Sequence, residues 1–323
     1  MTTYKEIFGK YVKNYSSDPT SDIEGQVWYN TTSGTFKSQV NLGGVWSSGG
    51  NLGTARYGLS GAGTQTAGLK FAGIQPISAA TEEYDGSAWT AGGSMGTAKF
   101  GVAAGGTQTA AFGAGGYTYS PDANSVTTQE YDGSAWTAGG NLSTARRSPG
   151  GCGTQTLGLI FGGWAGGPNF NITEEYDGST WTAGGNLITA NRSPGGAGTQ
   201  TAGLAIAGFT TVNVNTTEEY DGASWSAGGT INTTRSGGGA GGIQTAGLYF
   251  GGITTVPVAN TEEYNGTSWT NSGNLVTARY SMAGTGTQAA GLGFGGYING
   301  TGTTAATEEY VDPTLVVQTI TTS

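Results

Sequence analysis

One unit recurs six times along this chain, and each copy opens on a tryptophan: Trp46, Trp89, Trp136, Trp181, Trp225 and Trp269. The spacings are 43, 47, 45, 44 and 44 residues. A copy reads roughly W-T-A-G-G-N-L-x-T-A-R, a Gly/Ala-rich stretch, G-T-Q-T-A-G-L-x-F-G-G, a variable segment, and T-E-E-Y-D-G-S-x-W. Five copies end on the Trp that opens the next, and the sixth departs after Glu308, Glu309 and Tyr310. A unit this short cannot bury its apolar residues alone, so the copies must stack on one another.

Each unit parses into four short strands. Strand a follows the Arg, from Tyr57 to Ala62 or from Ser236 to Gly241. G-T-Q-T is a turn that holds Gln65, Gln108, Gln155, Gln200, Gln244 and Gln288 in register. Strand b carries Leu69 and Phe71, or Leu248 and Phe250, and ends on a glycine pair. Strand c is T-E-E-Y, and a tight D-G-S turn leads to strand d at the next Trp. Period-2 alternation between Gly, Asp, Asn and Ser clusters marks strands and hairpins. No 3.6-residue apolar period runs through the unit, which excludes a helical solenoid. Four strands per ~45 residues is the pattern of a β-propeller, and six copies predict an all-β, six-bladed ring.

Composition fits that ring. Of 323 residues, 63 are Gly and only 8 are Pro, with no Gly-X-Y period. Collagen is excluded, and Gly suits inner strands crowded around a central channel. Sixteen Tyr, 10 Phe and 8 Trp argue against disorder. Pro149 and Pro194 are expected in strand a on the inner edge. Cys152, where other copies have Ala, Gly or Thr, reads as a packing residue. With one Cys there is no intrachain disulfide, and with no His there is no imidazole catalysis or ligation. A net charge of −9 argues against nucleic acid and anionic membranes as partners. There is no apolar run long enough for a transmembrane helix and no signal-peptide pattern.

A Gly pair, Glu-Glu-Tyr-Asp, then Trp, with Arg before the next inner strand, resembles the kelch repeat over residues 46–310. The departure is the short step from strand c to strand d, with only four residues between Tyr84 and Trp89. The resemblance implies a propeller but no particular kelch activity. Ring closure needs strands from both ends. Trp46, with its own W-x-x-G-G-N-L, is favoured as strand d of the sixth blade over Leu315–Ile320. The expected division is an arm at 1–45 and a propeller at 46–323 that includes a C-terminal strand.

In the arm, Tyr4, Ile7, Phe8, Tyr11 and Val12 fall on one face of a short helix, capped by Thr2 or Thr3. That face would dock on the propeller or on a partner. Residues 16–22 read as a linker, and Thr32-Ser33-Gly34 as the turn of a hairpin. The string G-Q-V-W-Y-N-T-T-S-G-T-F-K at 25–37 resembles a segment of tail and fibre proteins of tailed bacteriophages, and Gly/Thr-rich arrays behind such a leader resemble virion proteins of marine phages. That resemblance implies assembly in a host cytoplasm, virion location, other virion proteins as partners and a homo-oligomer.

Strand alternation puts the b–c and d–a loops on one face, and the nearly identical a–b and c–d turns on the other. The b–c loops vary and carry Tyr117, Tyr119, Trp164, Phe170, Phe209 and Tyr297. They are the candidate ligand face, suited to stacking a glycan; local packing of the loops is the competing reading. Arg56, Lys99, Arg146, Arg235 and Arg279, interrupted by Asn191, form a ring that either holds an anion or pairs with carboxylates of a neighbouring blade. The Glu pairs recur in every copy or nearly so, whereas a glycosidase acid and base should be singular. Asp122 and Asn124 are weak calcium candidates. No metal or cofactor is expected. The chain therefore reads as a non-enzymatic tail or fibre protein whose loops bind a host-surface glycan. A purely structural decoration protein is the alternative, and a polysaccharide-degrading enzyme the third.

Overall fold

The computed structural model describes residues 12–19, 26–40, 43–312 and 316–320, and all regular structure among them is strand. Two compact units form: Val45–Val311, and residues 1–44 with 312–323.

In the larger unit each repeat folds into one antiparallel sheet of four strands. Sheet 1 is Ser60–Gly63, Gly68–Phe71, Thr81–Tyr84 and Trp89–Gly92, as strands a to d. Sheets 2 to 5 repeat that order from Ala103–Thr107, Gly150–Gly153, Gly195–Thr199 and Gly239–Ile243 as their a strands. Sheet 6 takes strands a to c from Ala283–Gly286, Ala290–Phe294 and Thr307–Val311, and strand d from Val45–Ser48. Trp46 sits opposite Tyr310, so the first and last parts of the array share one sheet. Small two-stranded ribbons, Tyr117–Tyr119 with Asp122–Asn124 and Tyr297–Ile298 with Gly302–Thr303, decorate two b–c loops.

The a strands touch in a closed cycle, each against those of the two neighbouring sheets. This is the arrangement of a β-propeller. The glycines of strand a are required by that crowding: a Cβ on Gly196 would lie 2.4 Å from the carbonyl oxygen of Gly151 on the adjacent strand. They line a narrow axial cavity of about 140 Å³. The a strands begin later than the sequence pattern suggested, and Pro149 and Pro194 precede them. The reason lies one step earlier. Gly58, Gly101, Ser148, Ser193, Gly237 and Ser281 all have φ between 49° and 65°. Each donates its backbone N–H to the carbonyl of its counterpart in the preceding sheet, and Gly58 donates to Ser281, at 2.7 to 3.3 Å. The six bonds close on themselves.

The recurring side chains bolt each sheet to the one before it. Trp136 donates its indole N–H to Thr81 Oγ1 at 2.8 Å, and every repeat Trp makes the same bond to a strand-c Thr of the preceding sheet. Gln108 Nε2 donates to the carbonyls of Gly68 and Tyr84 at 3.0 and 2.7 Å, again with a counterpart in every copy. Tyr264 Oη donates to Glu219 Oε1 at 2.6 Å and accepts from the Gly229 N–H at 3.2 Å. The other five repeat tyrosines bind the second glutamate of the preceding sheet in the same way. Between the sheets lie apolar clusters such as Leu69, Phe71, Met95, Ala111 and Tyr131. Indole, phenol and amide are thus amphipathic bolts, apolar in body and satisfied at the tip.

In the smaller unit, Val27–Asn30 and Thr35–Val40 form the expected hairpin, with Gly34 at φ 65° in its turn. Lys13–Tyr15 adds in parallel to the first strand, and Val316–Thr319 adds antiparallel to the second. The C-terminal strand therefore belongs to this sheet and not to the propeller. Trp28 is buried, and Asp18 accepts from its indole at 3.2 Å and from Asn30 Nδ2 at 2.9 Å. Part of the expected linker is thereby fixed to the hairpin. The expected helix of Tyr4, Ile7, Phe8 and Tyr11 lies outside the described residues, and Val12 is in coil immediately before the first strand.

Candidate functional site

The expected basic ring is not a surface. Arg146, Arg235 and Arg279 are fully buried, and Lys99 and Arg56 nearly so. Each Arg side chain runs into its own sheet rather than towards a neighbour's. Arg146 lies 3.0 Å from Glu174, Arg279 lies 3.1 Å from Glu308, and Arg235 pairs with Glu262. The same glutamates accept a backbone N–H from the preceding loop, as Glu262 does from Asn232 at 2.6 Å. Burial lowers the Arg146 pKa to about 10 against the opposing pull of Glu174. The exceptions are chemically matched. In sheet 1 Glu82 meets Lys70 at 3.3 Å, while Arg56 donates to the Pro76 carbonyl at 2.7 Å. In sheet 2 the glutamate is replaced by Gln129, and Lys99 donates instead to Thr127 and to carbonyls. Burial without a carboxylate brings Lys99 down to about 8. In sheet 4 the neutral amide of Asn191 replaces the base, and Glu218 is held by the N–H groups of Ile188 and Thr189, with burial raising its pKa. The anion-ring expectation is therefore corrected: these cations are interior, and their partners are groups of the same sheet.

The paired glutamates are also fully engaged, the first with a buried base or backbone and the second with a tyrosine. Burial, then the glutamate bond, pushes Tyr84, Tyr131, Tyr176, Tyr220 and Tyr264 up to about 12. On the c–d turns, Asp85 Oδ1 accepts from the N–H groups of Ser87 and Ala88, both at 2.8 Å. Asp132, Asp177 and Asp221 repeat this, and these bonds lower the carboxylate pKa values. Cys152 is buried and its thiol is pushed up to about 12 by burial, so it is an inert packing group. Asp122 is hydrogen-bonded to the Tyr117 hydroxyl. Among the described residues no cluster of three or more Asp, Glu, Cys or His surrounds a common point.

The opposite face is built differently. The residue after each ring position (a buried base, or Asn191 in sheet 4) pairs with the residue after each Gly-Gly or Ala-Gly step: Tyr57 with Ile74, Phe100 with Tyr117, Arg147 with Trp164, Arg192 with Phe209, Ser236 with Ile253, and Tyr280 with Tyr297. These pairs form a crown around the channel mouth. Its contacts run laterally from sheet to sheet. Tyr297 meets Tyr57 at 5.5 Å and Tyr280 at 5.6 Å. Tyr117 lies 5.5 Å from Phe100, and Tyr119 projects beyond them, 53% exposed. The Arg147 guanidinium lies 4.3 Å from the ring centres of both Tyr117 and Trp164. That of Arg192 lies 4.8 Å from both Trp164 and Phe209. Trp164 is held by its indole N–H on the Gly167 carbonyl at 2.5 Å, and Asn169 ties its loop to the carbonyls of Phe209 and Thr210.

Of the six aromatics expected on this face, Tyr117, Trp164, Phe209 and Tyr297 meet in the crown and Tyr119 borders it. Phe170 does not join: its backbone closes the loop onto Gly163 and Asn191, and its ring makes no stacking contact among the described residues. The arm residues Tyr4, Ile7, Phe8 and Tyr11 lie outside the described residues. Arg147 and Arg192 escaped the sequence reading. The available signal was the extra base in R-R-S-P and N-R-S-P, one step beyond the ring register.

No family model matches the chain, and no curated protein matches it. Many solved structures do. One, titled "Structure of YjhT", is similar over 83% of this chain and 99% of its own, with a TM-score of 0.69 at 13% identity. At that identity the likeness bears on the fold alone, and it agrees with a β-propeller.

Proposed function

We infer that residues 45–311 are a six-bladed, kelch-like propeller acting as a non-enzymatic binding module that presents the crown to a cell-surface glycan. The observation that carries this reading is the segregation of side chains. Residues repeated in every copy are consumed in bonds between or within sheets, whereas copy-specific aromatic and basic side chains collect around one mouth, half-exposed. Rigid scaffolds that present variable loops in this way serve recognition. The leader's resemblance to phage tail and fibre proteins supports placing the module in a virion, where residues 1–44 and 312–323 would attach it to other virion proteins. The test is binding of labelled protein to candidate host bacteria, with and without their purified surface polysaccharide. Saturable, competable binding is the expected result. A folded protein that adsorbs to no such cell but is needed for particle assembly would replace this reading with the decoration role.

A further inference from the structure

The geometry points to Arg147 and Arg192 as a two-pronged clamp for the carboxylate groups of an acidic glycan. This inference deepens the surface-binding reading and rests on it. The array 45–311 contains eight Lys and Arg residues. Six of them (Arg56, Lys70, Lys99, Arg146, Arg235 and Arg279) are buried. Arg147 and Arg192 are the two that reach solvent, and both flank Trp164 in a chain whose net charge is −9. Among the described residues neither has a carboxylate within ion-pair distance.

The row Tyr117, Arg147, Trp164, Arg192, Phe209 alternates ring and guanidinium across three consecutive sheets. This changes what the aromatics do. The Trp164 ring is already stacked with guanidinium groups, so it is not an open platform for a sugar. Instead the rings lie against the guanidinium groups, and the N–H edges, apart from the one Arg147 directs to the Tyr117 hydroxyl, remain to meet a ligand. Such an edge is a planar fork that matches a carboxylate with two parallel hydrogen bonds. Stacking also fixes the forks beforehand, which reduces the entropy lost on binding. Two forks on either side of one indole suit a ligand with repeated negative charges. The mouth that the crown surrounds is lined by Gly58, Gly101, Ser148, Ser193, Gly237 and Ser281, with Leu59, Val102, Met282 and two prolines among them. At about 150 Å³ this mouth is too small to bury the side-chain anchors of a peptide, so a ligand rests on the rim, where an extended, charged polysaccharide fits.

The test is calorimetric titration of the full chain with oligogalacturonate, with neutral dextran oligosaccharides of equal length, and with oligoglutamate. Wild type is compared with Arg147→Gln, Arg192→Gln and the double variant, while whole-cell binding is measured in parallel. The clamp predicts that oligogalacturonate binds, that dextran and oligoglutamate bind at least tenfold more weakly, and that the double variant loses at least tenfold with an unchanged Tm. An Arg147→Lys/Arg192→Lys pair keeps the charge but not the fork and should recover only part of the loss. Equal binding of dextran or oligoglutamate, unaltered binding by the double variant, or no binding of oligogalacturonate overturns the clamp. Whole-cell binding that survives any of these outcomes leaves the surface-binding reading standing, and its absence removes both.

Discussion

The interfaces between sheets and the crown at the channel mouth use the same kinds of residue to opposite ends. At an interface, Trp, Tyr and Gln arrive in identical register, and each polar tip has a partner in the preceding sheet. In the crown, Tyr, Trp and Arg differ from copy to copy, pack side by side, and keep donor edges towards solvent. The lesson is that internal repetition marks the scaffold here, and departure from repetition marks the surface with chemistry to offer. The departures inside the scaffold obey the same logic: where Glu becomes Gln129 the base is Lys99, and where Arg becomes Asn191 the glutamate keeps only the backbone donors that Glu262 has in addition to its Arg.

The comparison can be broken most forcefully at a buried ion pair. Glu262→Gln strands the Arg235 charge in the interior and should cost about 3–5 kcal/mol in denaturant unfolding. A cost near zero would mean that the pair is not buried in solution. Next is Tyr264→Phe, which deletes the bond to Glu219 and leaves the Gly229 N–H unpaired, for a loss of about 1–3 kcal/mol. The same bolts give a pH signature. Their folded pKa of about 12 exceeds the ordinary value of 10, so their stabilisation is complete below pH 10 and is lost as pH rises towards 12. Melting temperatures recorded from pH 8 to 12 should fall across that window, and absorbance at 295 nm should report late tyrosine ionisation. A smaller effect in the favourable direction is expected from Gln129→Glu, which restores a carboxylate beside Lys99. A gain of about 1 kcal/mol and a Lys99 pKa moved back towards the ordinary lysine range, read by NMR, would sharpen the idea of matched exceptions. Smallest of all, Tyr119→Ala in the crown should change stability by under about 0.5 kcal/mol. A loss as large as that of Tyr264→Phe would erase the distinction between the two regions.

Much of the scaffold was readable in advance because period-2 strands, turn residues and a recurring Trp are local signals. Trp46 as the closing strand was readable for the same reason, since it carries the repeat's own string. The partner of each Arg was not. Periodicity says that Arg235 and Glu262 recur together, but only coordinates distinguish a partner in the same sheet from one in the next. Val316–Thr319 misled for a different reason. An apolar strand of four residues says nothing about which edge it joins, and its partner, Thr35–Val40, lies at the other end of the chain. Arg147 and Arg192 were hidden because the expectation followed the aligned base at each copy, and these two sit one residue beyond it.

The closed ring through Gly58, Gly101, Ser148, Ser193, Gly237 and Ser281 has an electrostatic consequence. Every bond runs in the same rotational sense, from each residue to its counterpart in the preceding sheet. Dipoles arranged head to tail around a circle cancel, so this hoop projects no field along the channel axis. Its carbonyls are turned along the rim instead of into the opening, unlike those of a pore that strips and coordinates ions. The mouth is therefore electrically quiet in its backbone, and a charged ligand approaching it is oriented by the side chains around the rim.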